Sequence, residues 1–358
     1  MPSLKEIKGR INSISSTLAI TSAMKMVASA KLQKAQMAIQ NMLPYERRLH
    51  SMLIDLMGAM NISAAASEDG SVRGSGSAER GFDQSGDRLS LSNRHDLAGM
   101  DGAYSLMAQR EVRKVAIVAF ASNSSLCGVF NSNAIREATA VINEYRASGL
   151  GDADITVYSV GRKMAEAMKK LGFPSPADFT KMSDSPSYDA ASALAQELFD
   201  GFVSGRFDKV ELVYNHYKST SSQPTTRQTY LPLSLADAIA DLQAGKITDS
   251  ASETDTNRVA EPVGAPVVRQ GSPTTEDLIV EPSKEALIAT LLPKVIRLRI
   301  FTTLLDSAAA EHAARTVAMQ LATDNGNDLL QELTLEYNKG RQQKITSEIL
   351  DLVGGSMQ

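Results

Sequence analysis

Tryptophan is absent from this 358-residue chain, aromatic residues make up 5% of it, and cysteine occurs once, as Cys127. A single cysteine excludes an internal disulfide and fits a reducing compartment, on the cytosolic side. The scarcity of aromatic rings argues against an aromatic-lined ligand pocket. The 15 methionines and many alanines instead supply slim or flexible side chains that suit close helix–helix contact. No apolar run approaches the roughly 18–20 residues needed to span a bilayer, so no direct membrane span is expected and any membrane association has to go through a partner. The N-terminus also lacks the apolar core and cleavage pattern of a secretory signal. A formal net charge of −4 gives no overall basic field, which argues against nucleic acid as a partner.

Recognisable catalytic motifs are missing too. There is no GxxxxGK[ST] phosphate loop, HExxH, CxxC or GxSxG elbow. Gly74, Gly76 and Gly81 imitate a dinucleotide fingerprint, but in a low-complexity stretch with no strand before it. His50, His95, His216 and His312 are widely scattered, so no metal site is expected. Cys127 has no neighbouring histidine to activate it and reads as a small buried hydrophobe. Gly161, between a strand and a helix, reads as a tight structural turn in preference to an anion site. Catalytic, cofactor-binding and metal-binding residues are all predicted to be absent.

What is present is periodicity. Ile7, Ile11, Ile14, Leu18, Thr21, Ala28, Leu32, Ala35, Ile39 and Met42 step by three and four, a heptad seam interrupted at Lys25 and kept continuous by Met24 and Val27. Pro44 is expected to kink or restart this helix. A longer seam runs from Val295 through Leu305, Ala309, His312, Met319, Gly326 and Leu333 to Tyr337. It is predicted to begin at Pro293 after a short helix over Ser283–Leu292, and to span roughly 90 Å at 1.5 Å per residue. That length outruns a small domain, so neither helix is expected to be covered by its own fold.

Between the seams, Val115–Phe120, Ile155–Val160 and Val210–Tyr214 read as buried strands. Helices are predicted over Asn133–Ser148, Lys163–Leu171 and Tyr188–Gly201. Strands alternating with helices imply a Rossmann-like α/β domain with a parallel sheet. The predicted organisation is an N-terminal coiled-coil helix (1–60), a flexible Ser/Gly-rich insertion (61–110), the α/β domain (111–235), an acidic flexible insertion (236–282) and a C-terminal coiled-coil helix (283–358). The fold class is thus α/β, a long antiparallel coiled coil carrying a central sheet domain.

Both end segments closely resemble the gamma subunit of rotary, F-type ATP synthases. The opening run carries an I-T-x-A-M-x-M-V-A core at Ile20–Ala28. The closing run carries E-x-A-A-R at Glu311–Arg315, A-M-x-x-A-T-D-N at Ala318–Asn325 and N-K-x-R-Q-x-x-I-T at Asn338–Thr346. With the central stretches SNSSLCGVFN and YNHYKSTSSQPTTRQTYLPL, the resemblance covers about two thirds of the chain.

The resemblance implies a non-catalytic rotor shaft that couples rotation of a membrane c-ring, driven by proton flow, to conformational cycling of catalytic beta subunits. Its implied partners are three alpha and three beta subunits per copy, an epsilon subunit and the c-ring. The implied location is peripheral, on the cytoplasmic side of a bacterial inner membrane. By position, Arg341 and Gln342 match the family's catch-loop contacts, with Thr346 in the same cluster. Met24 and Lys25 match a position near the beta lever, with Glu311 and Arg315 on the facing helix. The family's S-D-x-G-L-C-G turn is here Ser122-Asn123-Ser124-Ser125-Leu126-Cys127-Gly128, without its acidic residue and first glycine. The acidic insertion is expected to meet a basic partner surface or to hinder reverse rotation. Two rival readings are an oligomeric α/β enzyme for a small molecule and a homodimeric coiled-coil scaffold.

Overall fold

The computed structural model of the chain describes residues 3–59, 106, 110–233 and 284–355. Nearly all of the two insertions named above lies outside the described residues. Two helices frame the fold: α1 (Leu4–Ala59, 56 residues) and α6 (Lys284–Gly355, 72 residues). They run antiparallel, because Glu46 meets Thr302, Thr21 meets Thr323 and Leu18 packs on Gly326. Ile7, Ile11, Ile14, Leu18, Thr21, Met24, Ala28, Leu32, Ala35, Ile39 and Met42 are all buried or half-buried, so the first seam is a real stripe. Val27 is not part of it; it points outward and is 58% exposed, leaving Met24 and Lys25 to carry the stripe past that level.

Neither proline starts or restarts a helix. Both helices continue through them, Pro44 inside α1 and Pro293 inside α6. A proline inside a helix costs about 3 kcal/mol. Ile288 and Leu292 before Pro293, and Val295 and Ile296 after it, are each 1% exposed in one core. Burying each such side chain is worth roughly 1.5–3 kcal/mol, so the core holds both sides of the proline in register and outweighs the lost hydrogen bond. The same residues correct the expectation that neither helix is covered by its own fold. The first half of α6 is covered by it.

That cover is a four-stranded sheet, in the order β2-β1-β3-β4. Strands β1 (Val115–Phe120), β2 (Ile155–Val160) and β3 (Lys209–Asn215) are parallel. β4 (Thr225–Leu231) pairs antiparallel with β3, so the sheet is mixed where an all-parallel one was predicted. The run TTRQTYL gives no apolar signal, since its first five residues are only half-buried at the sheet edge. β1 is buried at all six positions because both its faces are covered. Val115, Ile117 and Ala119 face α2 (Phe130–Ala147) and α3 (Arg162–Lys170); Ala116, Val118 and Phe120 face the core made with α5 (Tyr188–Val203), α6 and the Leu49–Leu53 end of α1. Helix α2 presents Phe130, Ala134, Ala138, Val141, Ile142 and Tyr145 as one stripe at helical spacing. Ser187 caps α5 by accepting from the Ala190 N–H, and a short helix α4 (Thr180–Asp184) precedes it.

A buried charge sits on the sheet itself. Glu211 on β3 is 1% exposed, and its carboxylate accepts from Arg227 Nε at 2.7 Å, Lys209 Nζ at 2.6 Å and the Tyr145 hydroxyl at 2.6 Å. Burial opposes its ionisation, but those donors outweigh burial and hold its carboxyl below the usual value. Arg227 also reaches Glu144, so the network staples α2 to the β3–β4 edge. Removing one partner of a buried pair strands the others, at a cost of about 3–5 kcal/mol. Glu211→Ala is therefore expected to lower the urea unfolding midpoint by a corresponding amount; a change under about 1 kcal/mol would contradict this role.

A second ion pair docks the β3–β4 connection onto α6, with His216 Nδ1 2.6 Å from Asp306 Oδ2. The bond to Asp306 raises the His216 pKa, against burial and the nearby Lys218. Its stabilisation is therefore fully present below the unfolded histidine value of about 6.5 and fades as pH rises through the higher folded value. The gap in unfolding midpoint between the unmodified chain and His216→Ala should shrink as pH is raised from about 5.5. A gap that stays constant with pH would show that the imidazolium contributes nothing.

Candidate functional site

In open α/β sheets, ligands bind in the crevice at the C-terminal ends of the strands, where the strand order reverses. Here that point lies between β1 and β3, since β1 leads through α2 to β2 on one side and β2 leads through α5 to β3 on the other. Helix α6 lies against it. Ala310 and Ala314 pack on Cys127, Phe130 and Tyr217, and Asp306 accepts from the Tyr217 N–H at 2.9 Å as well as binding His216. A neighbouring cavity beside Glu311, Ser307 and Ser183 measures about 10 Å³, room for about one water and no substrate.

The glycine turn nearby is equally closed. Gly161 has φ +98°, and a Cβ there would lie 2.0 Å from the Ala121 carbonyl oxygen. The first N–H groups of α3 are already bonded, Arg162 to Asn123 Oδ1 at 2.7 Å and Lys163 to the Ser122 carbonyl at 3.2 Å. Asn123, at the position where the resemblance puts an acidic residue, also donates its amide to the Thr180 carbonyl at 2.7 Å, which a carboxylate could not do. Cys127 is buried against Asn131, Ser122 and Ser124. Among the described residues no group of histidine, cysteine and acidic side chains could hold a metal. Among the described residues, the crevice and the Gly161 turn leave no open space for a small molecule.

The surface that remains is the helix pair. Leu4 packs on Gly340, so α1 begins level with Gly340 and, among the described residues, α6 continues past it alone. Every described side chain from Arg341 onward is exposed, including Ile345, Ile349, Leu350, Leu352 and Val353. Arg341, Gln342 and Thr346 lie together on this bare end, with the Thr346 hydroxyl donating to the Gln342 carbonyl at 2.9 Å.

The other four predicted contact residues are arranged differently. Glu311 and Arg315 form a buried ion pair on α6 at 2.7 Å, and Arg315 reaches across to Ser124 Oγ at 2.6 Å. Burial raises the Glu311 pKa, with Arg315 pulling the other way. Burial, helped by Arg315 and Lys31, pushes His312 between them down to about 4, so it is neutral near pH 7. Met24 and Lys25 are half-buried. The register set by Thr21–Thr323 and Leu18–Gly326 puts Met24 level with Gln320, about two and a half turns beyond Glu311. The structure thus unites Arg341, Gln342 and Thr346, unites Glu311 with Arg315, and separates Met24 and Lys25 from that pair. Reading the sequence missed Ser124, Asp306 and Tyr217 as joint residues; each is a lone polar or aromatic residue with no periodic signal.

Comparison with known proteins bears directly on this architecture. The family model described as ATP synthase matches residues 3–357. The chain is 48% identical over 357 residues to the ATP synthase gamma chain of Phocaeicola vulgatus and 45% identical over 358 residues to that of Bacteroides thetaiotaomicron, in each case across all of both chains. Among solved structures, a chain of the Euglena gracilis mitochondrial ATP synthase, solved as OSCP/F1/c-ring, shares the fold with a TM-score of 0.52 at 18% identity, covering 99% of this chain and 93% of that one. A helix pair with a bare tip, a sheet domain whose ligand crevice is filled, and full-length likeness to gamma chains agree: the chain belongs to the ATP synthase family, among its gamma chains.

Proposed function

We propose that this chain is the central shaft of a proton-translocating ATP synthase, turning with a membrane c-ring and imposing conformational change on the catalytic beta subunits. The observation that carries this reading is the bare end of α6. From Arg341 to Leu350, and again at Leu352, α6 exposes leucine and isoleucine mixed with charge beyond the level at which α1 begins, which suits a surface enclosed by other subunits. One copy would stand in a hexamer of three alpha and three beta subunits, with the sheet domain as the foot toward epsilon and the c-ring. Family membership makes the chain a peripheral, membrane-associated subunit, and no helix among the described residues is long and apolar enough to cross a membrane. The cytoplasmic face of a bacterial inner membrane is the side we assign.

The shaft performs no chemistry of its own. It presents one helix above Gly340, two below, and a sheet on one flank, so three identical beta subunits meet three different surfaces. A ligand moves an equilibrium only by its differential affinity for the states, and converting a 1:99 population to 99:1 takes about 5.5 kcal/mol. Arg341 can supply part of that, since its guanidinium forks onto carboxylates bidentately and stays charged throughout the cycle. Gln342 and Thr346 extend the same contact patch. Met24 and Lys25 touch the beta lever further down. Glu311 and Arg315, tied to each other and to Ser124, shape that level by fixing α6 on the Ser122–Gly128 turn.

Co-expression with alpha and beta subunits should give one copy of this chain per six large subunits by native mass, with ATPase activity that depends on it. A free homodimer indifferent to the hexamer would return the chain to the scaffold reading. Within the assembled complex, Arg341→Ala with Gln342→Ala should keep the stoichiometry and slow steady-state ATPase by about tenfold or more, because a charge-assisted bond is worth about 1.5–3 kcal/mol. Unchanged turnover would remove these residues from the contact.

A further inference from the structure

Where the sheet domain meets the helix pair, one side chain touches all three parts. Tyr217 is the second residue of the β3–β4 connection. Its ring packs with Leu32 of α1 and Ala309 and Ala313 of α6, and also joins the cluster of Cys127, Phe130 and Ala310. Its hydroxyl accepts from Gln36 Nε2 of α1 at 2.6 Å, while its backbone N–H donates to Asp306 Oδ1 of α6 at 2.9 Å. The other oxygen of Asp306 holds His216 Nδ1, so the residue before Tyr217 is anchored to the same helix.

We propose that Tyr217 is the positioning residue that locks the rotational register of the sheet domain on the helix pair, so that torque applied to the foot reaches α1 and α6 together. The inference rests on the shaft reading given above. Apolar attraction is non-directional and follows the area buried, so by itself it specifies no hydrogen-bonded register. Hydrogen bonds weaken steeply once bent below about 120°. Twisting the foot about the shaft axis must bend the bond to Gln36 or the bond to Asp306, because α1 holds the hydroxyl at one end of Tyr217 and α6 holds its backbone N–H at the other. Ala309, Ala310 and Ala313 let the ring sit close to the helix backbone, which shortens the lever between foot and shaft. Tyr230 to the Ile296 carbonyl and Arg297 to Gln196 tie the sheet domain to α6.

The test uses the assembled complex of this chain with alpha and beta subunits, the hexamer fixed to a surface and stalled with a non-hydrolysable ATP analogue. A marker sits on an exposed foot residue through Lys170→Cys; Cys127, the one native cysteine, is buried. The angular variance of the marker then reads torsional stiffness. Tyr217→Phe and Gln36→Ala should each widen the variance, the double variant should widen it no further than one single, since both break one bond, and Tyr217→Ala should widen it most. Tyr217→Phe keeps the ring and should leave the thermal midpoint of the complex close to that of the unmodified assembly, which separates a stiffness effect from a folding defect. Unchanged variance in assembled Tyr217→Ala complexes overturns the proposal, as does a lowered midpoint with unchanged variance. If the unmodified chain fails to assemble, the shaft reading itself fails first.

Discussion

From Ile288 to Leu304, helix α6 is buried in the same core as β1, β3 and α5, and this one packing contact sets the geometry of everything else. It carries the helix through Pro293, orients the seam toward α1, and aims the far end of the helix away from the sheet domain. Along its length α6 passes from core, to paired seam, to bare tip. A helix held so firmly at one end transmits force as a beam, because a close-packed interior deforms little. The tip therefore moves as the foot moves.

The sheet domain is instructive for what it does not do. Its three parallel strands share the order of doubly wound ligand-binding folds, and the turn after β1 sits at the position where such folds cradle a phosphate. Alanines of α6 occupy the crevice, Asn123 satisfies the helix terminus, and Asp306 satisfies the β3–β4 turn. The polar groups that a ligand would meet have been spent on fastening a helix. Glu211, buried with Arg227, Lys209 and Tyr145, stiffens the opposite edge in the same manner.

Much of this was legible from the residues. β1 reads as a strand because both its faces are buried, and the α1 stripe from Ile7 to Met42 reads as a seam because its partner helix is apolar at the same spacing. β4 escaped because an edge strand half in water keeps polar residues. Pro293 misled because local helix rules were outweighed by burial of Leu292 and Val295. Arg341, Gln342 and Thr346 stood out only through family resemblance, and the structure adds why they can matter, since α1 stops short of them. Tyr217, Asp306 and Ser124 make contacts across 89 to 191 residues of chain, which no local pattern announces.

The central claim is that this chain rotates as one body within a ring of other subunits. The most direct measurement places a visible marker on the sheet domain of a complex whose alpha and beta subunits are fixed to a surface, and follows the marker's angle while ATP is hydrolysed. The account predicts unidirectional turning with three pauses per revolution, one for each beta subunit, stopping when ATP is withdrawn. A marker that stays still, or wanders without direction, while the same complex hydrolyses ATP would contradict it.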